Sequence, residues 1–272
     1  MMQKIKKILK RIIQKVVGLT FPNIRVNSNY SYKILGKDDC HYFVGYYDKD
    51  PVNRLKKEIL CHQVSLKYSN LVEPISAKIG LISIEDNSFQ ELTNTNAMNW
   101  QLASRAQWLD ENNIIYNDID KGIQCSIKFN VLTKEKLIKY KRPFWDISPD
   151  KKFGASLNFS RIKLMRPGYG YTGKNIDNHK EILTVFSLEN DSLIYSISLI
   201  EILKKVKFNQ VINNDFYLNH IVWSPCNKKL ITIFHYEEKK KRMVYPVLID
   251  IETKKIIFLY KEGSFSHHTF VD

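Results

Sequence analysis

Histidine, arginine and asparagine side chains recur in this sequence at matching distances from a repeated turn. Four stretches share the frame of an apolar run, a polar turn and a second apolar run that ends near a hydrogen-bonding residue. They are "YDKDPVNRLKKEILCH" (47–62) with turn D-P-V-N-R and His62, and "RAQWLDENNIIYND" (105–118) with turn L-D-E-N-N and Asn117. The other two are "PFWDISPDKKFGASLNF" (143–159), turn S-P-D-K-K, with Asn158, and "NHIVWSPCNKKLITIFH" (219–235), turn S-P-C-N-K-K, with His235. Three residues before the apolar anchors Trp108, Ile147, Trp223 and Phe270 stand Arg105, Phe144, His220 and His267. Imidazoles can ligate a metal, a guanidinium can grip a carboxylate or phosphate through two N–H groups, and Asn can read sugar hydroxyls. Together these residue types suit a polar, anionic ligand. The alternative is that they end strands and satisfy backbone groups.

The elements that must position them are β-hairpins closed by tight polar turns. Further strand-like runs follow most copies, among them "KIGLISIEDNSFQEL", "CSIKFNVLTKEKLI", "EILTVFSLENDSLIYSISL" and "YPVLIDIETKKIIFLY". Four strands per unit, with anchors 39, 76 and 47 residues apart, is the signature of β-propeller blades with one long insertion. The sequence therefore predicts an all-β fold over 38–272, about four blades plus the first strand of another, "SHHTFVD". A propeller closes as a ring because open sheets expose edges, so the chain reads as an incomplete propeller. In a blade the start of the first strand and the end of the second lie at one face. His62, Arg105, Asn117, Asn158, His220, His235 and His267 should then ring one channel mouth. The insertion "SRIKLMRPGYGYTGKNIDNHKE" (160–181) leaves from that mouth and brings Arg166, Tyr169 and Tyr171, a sugar or anion contact surface if more than a packed turn. "VGYYDKDP" (44–51) would bring Tyr46, Tyr47, Asp48 and Lys49 to the same side, the last two being a weak acid–base signal. His268 should point away from the channel, and His179 falls in a polar loop.

The chain has 272 residues, 44% apolar and 12% aromatic, with a net charge of +14. Cys40, Cys61, Cys125 and Cys226 are scattered, which fits free thiols in a reducing compartment rather than a disulfide or zinc framework. Six basic residues and no acidic one fall in residues 1–17, between aliphatic residues at helical spacing, with Gly18 and Pro22 as stop signals. That predicts a basic amphipathic helix over 1–22 lying on an anionic membrane surface, or packed on its own domain or a partner. No apolar run is long enough to span a bilayer. No phosphate loop, dinucleotide fingerprint, zincin or nucleophile-elbow motif occurs, and nothing marks a nucleic-acid binder.

With "HYFVGYYDKDP", "NWQLASRAQWLDENNIIYND", "RPGYGY", "NHIVWSP" and "SHHTF" in view, the chain from about residue 38 onward resembles a bacterial β-propeller family of surface-polysaccharide biosynthesis loci. That family is distantly similar to oligogalacturonate lyase and TolB-like propellers. The resemblance implies a sugar-related role. In the lyases a histidine-held metal neutralises a uronate carboxylate, and the matching positions here are His220 and His267. Family members continue beyond "SHHTF", so relative to them the chain is C-terminally truncated.

These readings converge on a protein of O-antigen, capsule or exopolysaccharide synthesis that binds or processes an acidic or phosphorylated glycan. Arg105, His220 and His267 form the expected catalytic core. His62, Asn117, Asn158, Arg166, Tyr169, Tyr171 and His235 are the expected substrate contacts. His220 and His267 would hold a divalent metal, Mn or Ca, for lyase-like or glycan-transferring chemistry. The expected partners are a lipid-linked glycan, glycan-synthesis enzymes and the anionic inner membrane, from the cytoplasmic side. The rival is a non-catalytic scaffold that organises those enzymes.

Overall fold

The computed structural model describes residues 29–66, 75–174, 181–205, 216–238, 241–259, 265 and 267–270. The expected helix over 1–22 and His179 lie outside them. The chain divides into two units, 1–34 and 35–272, and every strand belongs to the second.

Among the described residues, seventeen strands form four antiparallel sheets, each built in chain order. The first holds β1 (Cys40–Phe43), β2 (Val52–Asn53), β3 (Glu58–Ser65), β4 (Ala77–Ser83) and β5 (Phe89–Thr95). The second holds β6 (Gln107–Trp108), β7 (Asn113–Asp120), β8 (Ile123–Asn130) and β9 (Glu135–Tyr140). The third holds β10 (Asp146–Ile147), β11 (Phe153–Leu157), β12 (Glu181–Ser187) and β13 (Leu193–Ser198). The fourth holds β14 (Phe216–Trp223), β15 (Lys229–Glu238), β16 (Lys241–Asp250) and β17 (Lys255–Phe258). Trp108, Ile147 and Trp223 each end the first strand of their sheet, as the anchor spacing predicts.

The repeated turn has a physical cause. In the third sheet Ser148 N–H donates to the Phe153 carbonyl (2.9 Å) and Ser148 Oγ accepts from Phe153 N–H (2.9 Å). In the fourth, Ser224 makes the same two bonds with Lys229, at 2.9 and 3.0 Å. One serine thus closes the turn with both its backbone and its hydroxyl, which is why S-P recurs there.

Inner strands read as continuous apolar runs because both faces are covered. In β7, residues 114–118 are all buried, whereas β9 leaves most positions exposed. Leu60, Ile79 and Leu81 of the first sheet pack on Ile114, Tyr116, Ile127 and Phe129 of the second. Ile115, Tyr140 and Phe144 meet Ile147, Phe186 and Leu188 of the third. Leu157 and Val185 then pack with Trp223, Phe234 and Val247 of the fourth. Each sheet therefore lies face to face with the next in the chain.

Three features depart from the sequence reading. The first hairpin turns at residues 54–57, after the D-P-V-N stretch, because Asn53 pairs with Glu58 and its Oδ1 accepts from Lys56 N–H at 3.2 Å. The insertion folds into α1 (Phe159–Met165), and α2 (Leu199–Lys205) follows β13. Residues 267–270 of "SHHTFVD" are not in a strand. Their recorded ties run to Tyr47, His220 and the Ile231 carbonyl, so they follow side-chain contacts rather than a sheet ladder.

Gly80 marks the closest packing of the first sheet. A Cβ there would meet the Gln90 carbonyl oxygen at 2.4 Å and the Phe89 ring at 2.5 Å, beside a register shift in the β4–β5 pairing. Gly80→Ala is expected to cost about 1–3 kcal/mol, as overpacking does, read as a lower urea midpoint with an unchanged slope.

Candidate functional site

The inner edge of the first sheet is interrupted. β1 and β2 both pair with β3, yet between Phe43↔His62 and Val52↔Ile59 the edge advances nine residues while β3 retreats three. The surplus, residues 44–51, leaves the sheet and carries Tyr46, Tyr47, Asp48 and Lys49 to the inner strands of the other sheets.

Arg105, just before β6, receives this excursion. Its two terminal nitrogens donate to the two Asp48 oxygens at 3.0 and 2.8 Å, and its Nε donates to the Trp145 carbonyl at 2.8 Å. Lys49 carries the pattern on by donating to Asp146, and it lies 3.7 Å from Asp48. Arg105, Asp48, Lys49 and Asp146 thus form one chain of alternating charge across three sheets. Burial alone would push the Asp48 carboxyl up. Arg105, and then Lys49, more than offset it and hold Asp48 below the usual carboxylate range.

His220 of β14 brings in the fourth sheet. Tyr46 Oη and His220 Nε2 share a hydrogen bond of 2.5 Å, and the Asn219 side-chain oxygen engages His220 Nδ1. Trp145 lies against the imidazole with ring centroids 5.5 Å apart. Burial, then the nearby His268, Arg105, Arg166 and His267, pulls the His220 pKa down to about 3, so the ring is neutral at pH 7. His267 bonds to Tyr47, and its ring centroid is 5.9 Å from that of His220. Arg105 and His220 occupy equivalent places in their sheets and both have left-handed backbones, φ 59° and 58°. For non-glycine residues this costs roughly 1–2 kcal/mol each. At His220 it coincides with the register shift of β14 against β15.

These groups enclose a cavity of about 240 Å³, lined by residues 46–49, Trp145, Asp146, residues 220–222, His268 and Thr269. Apart from residues 46–49, its walls are positions one to three residues before the anchors Ile147, Trp223 and Phe270. The cavity therefore lies deeper than the mouth ring that the repeat predicts.

That depth sorts the expected site residues. His220 lines the cavity and His267 adjoins it. Arg105, expected in the catalytic core, has a side chain that is 0% exposed and paired with Asp48. His62 is buried, its Nε2 bonded to Ser104 Oγ at 2.7 Å. Asn117 is buried too, donating to the Phe144 carbonyl and accepting from its N–H, both at 2.8 Å. Each of these two staples its sheet to the segment leading into the first strand of the next, which accounts for their recurrence without a ligand. Asn158 caps α1 by accepting from Arg161 N–H at 2.9 Å. His235 is buried and stacks on Tyr217 with centroids 4.7 Å apart. Tyr171 is buried and donates to the Ala103 carbonyl at 3.0 Å. Arg166 and Tyr169 do not line the cavity but lie beside it: the guanidinium carbon is 4.2 Å from the Tyr169 ring centroid, which is 6.4 Å from that of His220. The repeat did not single out Trp145 or Asp146, and His268 was expected to face away. Reading the two positions before each anchor, not only the third, would have found all three.

The described residues do not fit the expected metal. No group of three or more His, Cys, Asp and Glu among them is placed to hold one. Mn and Ca favour oxygen ligands, and the nearby carboxylates are taken, Asp48 by Arg105 and Asp146 by Lys49. What the cavity wall offers is aromatic faces beside a self-neutralised charge chain, with the Arg166–Tyr169 pair next to His220.

Two outcomes are expected. Asp48→Ala leaves the Arg105 guanidinium buried and unpaired and should cost about 3–5 kcal/mol in chemical denaturation. His62 is buried neutral, its pKa pulled down to about 4 by burial. The unfolded chain takes up that proton near pH 6.5 and the folded chain refuses it until about 4. Stability should fall across that window by up to about 1.4 kcal/mol per pH unit. His220 adds a loss of the same sign. Denaturation midpoints measured from pH 7 to 4.5 should drop, and less steeply in His62→Gln.

Comparison with known proteins adds fold information only. No protein-family model and no curated protein matches the chain. Among solved structures it is similar to TolB from Acinetobacter baumannii, at 14% identity and TM-score 0.41, over 77% of this chain and 42% of that one. It is similar to Kuenenia stuttgartiensis hydrazine synthase at 9% identity and TM-score 0.41, over 74% of this chain and 50% of that one. A third is the β-propeller domain of the Trilobed protease from Pyrococcus furiosus, at 10% and 0.40, over 76% and 54%. The chain thus spans about half the length of these structures. Its likeness to TolB-like and other β-propeller proteins is distant.

Proposed function

We propose that the four sheets are β-propeller blades and that their cavity binds an acidic or phosphorylated glycan. The observation that supports this reading is the convergence on one cavity of the first sheet's excursion with residues of the third and fourth sheets. Tyr46, Tyr47 and Trp145 supply faces on which sugar rings pack, and His220, its two ring nitrogens engaged by Tyr46 and Asn219, holds Tyr46 in the wall. Lys49 and Asp146 are already paired, so the cavity wall attracts by shape and hydrogen bonding rather than by loose charge. The acidic character of the ligand follows from the +14 net charge of the chain. The setting, surface-polysaccharide synthesis near the inner leaflet, rests on the sequence resemblance and on the basic residues 1–17. Among the described residues no helix is long and apolar enough to cross a membrane. The reading is one of binding and uses no metal-assisted step.

Isothermal titration of the full chain with trigalacturonate and with glucose 1-phosphate tests it. Saturable binding of either, weakened about tenfold or more (roughly 1.4 kcal/mol) by Tyr47→Ala and by His220→Ala, is the expected result. Binding of neither, or binding indifferent to both variants, overturns the assignment of this cavity.

A further inference from the structure

We infer that the two arginines of the site divide the work: Arg166 receives the oxyanion of the ligand, and Arg105 is a positioning residue that fixes the aromatic excursion. The inference rests on the glycan-binding reading above and names the group that gives it charge selectivity.

The charges leave little choice. Arg105 makes three hydrogen bonds, two to Asp48 and one to a carbonyl, and has no exposed surface. Lys49 is held between Asp48 and Asp146. Arg166 has no acidic partner among the described residues. Its guanidinium carbon lies 4.2 Å from the Tyr169 ring centroid, and that ring is in turn a neighbour of His220. A guanidinium placed over a ring without an acidic partner still carries the paired N–H groups that match two oxygens of a carboxylate or phosphate. Stacking on an aromatic ring also spares part of the entropy of fixing a long side chain.

The loop that carries Arg166 is held from several directions. The Arg166 N–H donates to the Ile162 carbonyl at 2.8 Å and closes α1, and the Arg166 carbonyl accepts from Tyr169 N–H at 3.0 Å. Asn99 donates to the Gly170 carbonyl at 2.9 Å, and Tyr171 is tied to Ala103. Gly170 has φ +72°, and a Cβ there would meet the Phe159 carbonyl oxygen at 2.3 Å, so the loop sits directly on α1. The guanidinium is therefore pre-placed rather than swung in from solvent. Its charge also reaches the site, as one of the influences that keep His220 neutral. Lys151, in the turn before β11, is the competing cation. It faces Lys49 and Asp146, and burial and Lys49 lower its pKa.

The test uses the full chain and three probes: trigalacturonate, its neutral methyl ester and glucose 1-phosphate. Wild type should bind at least one anion tenfold or more tighter than the ester. Arg166→Ala should erase that preference while leaving ester binding unchanged, and Arg166→Lys should restore only part of it. Lys151→Ala should keep it. Whichever anion loses affinity in Arg166→Ala identifies the group received. Arg166→Ala binding like wild type, equal weakening of acid and ester, or loss of the preference in Lys151→Ala instead would each overturn the inference and leave the glycan reading standing. Failure of wild type to bind any probe overturns both.

Discussion

The fork between Arg105 and Asp48 is the contact on which the rest of the site is built. A buried ion pair is a poor source of net stability, because desolvation consumes most of its attraction. What it contributes here is placement. Asp48 lies in an excursion that has left its own sheet, and that excursion carries both tyrosines of the cavity. The same guanidinium bonds to the Trp145 carbonyl, so one planar group sets the positions of three inner strands at once. Lysine could supply the charge but not three hydrogen bonds in one plane.

The other consequence concerns strain. Arg105 and His220 share a left-handed backbone at equivalent places, and neither is a glycine. Such residues persist where their surroundings over-determine them, and they gather at functional positions. Arg105 is fixed by Asp48 and Trp145, and His220 by Tyr46, Asn219 and the Trp145 ring. In both cases the kink lies where the inner strand gives up regular pairing and its side chain meets its neighbours at the centre of the molecule.

Much of this was legible in the sequence. The turn serines, the anchors and the four-strand unit were readable because each reflects a local rule: a hydroxyl closing a turn, an apolar residue ending an inner strand, and alternation along hairpins. The recurring polar residues were readable as a pattern but not as a role. His62 and Asn117 recur because neighbouring sheets need stapling, a long-range fact that a period cannot reveal. Arg105 looked like a ligand grip because its partner Asp48 lies 57 residues away in a segment whose departure from the sheet has no local signal. The cavity walls were missed for a similar reason. They are single positions in short strands, and only the convergence of several sheets gives Trp145, Asp146 and His268 a common address.

The most direct test of the account is a crystal structure of the chain with an acidic trisaccharide bound. The account predicts a sugar ring seated between Tyr47 and Trp145, its oxyanion on the edge of Arg166, and Arg105 still closed on Asp48. A sugar bound outside the cavity, or an Arg105 released from Asp48 to grip the ligand, would contradict it.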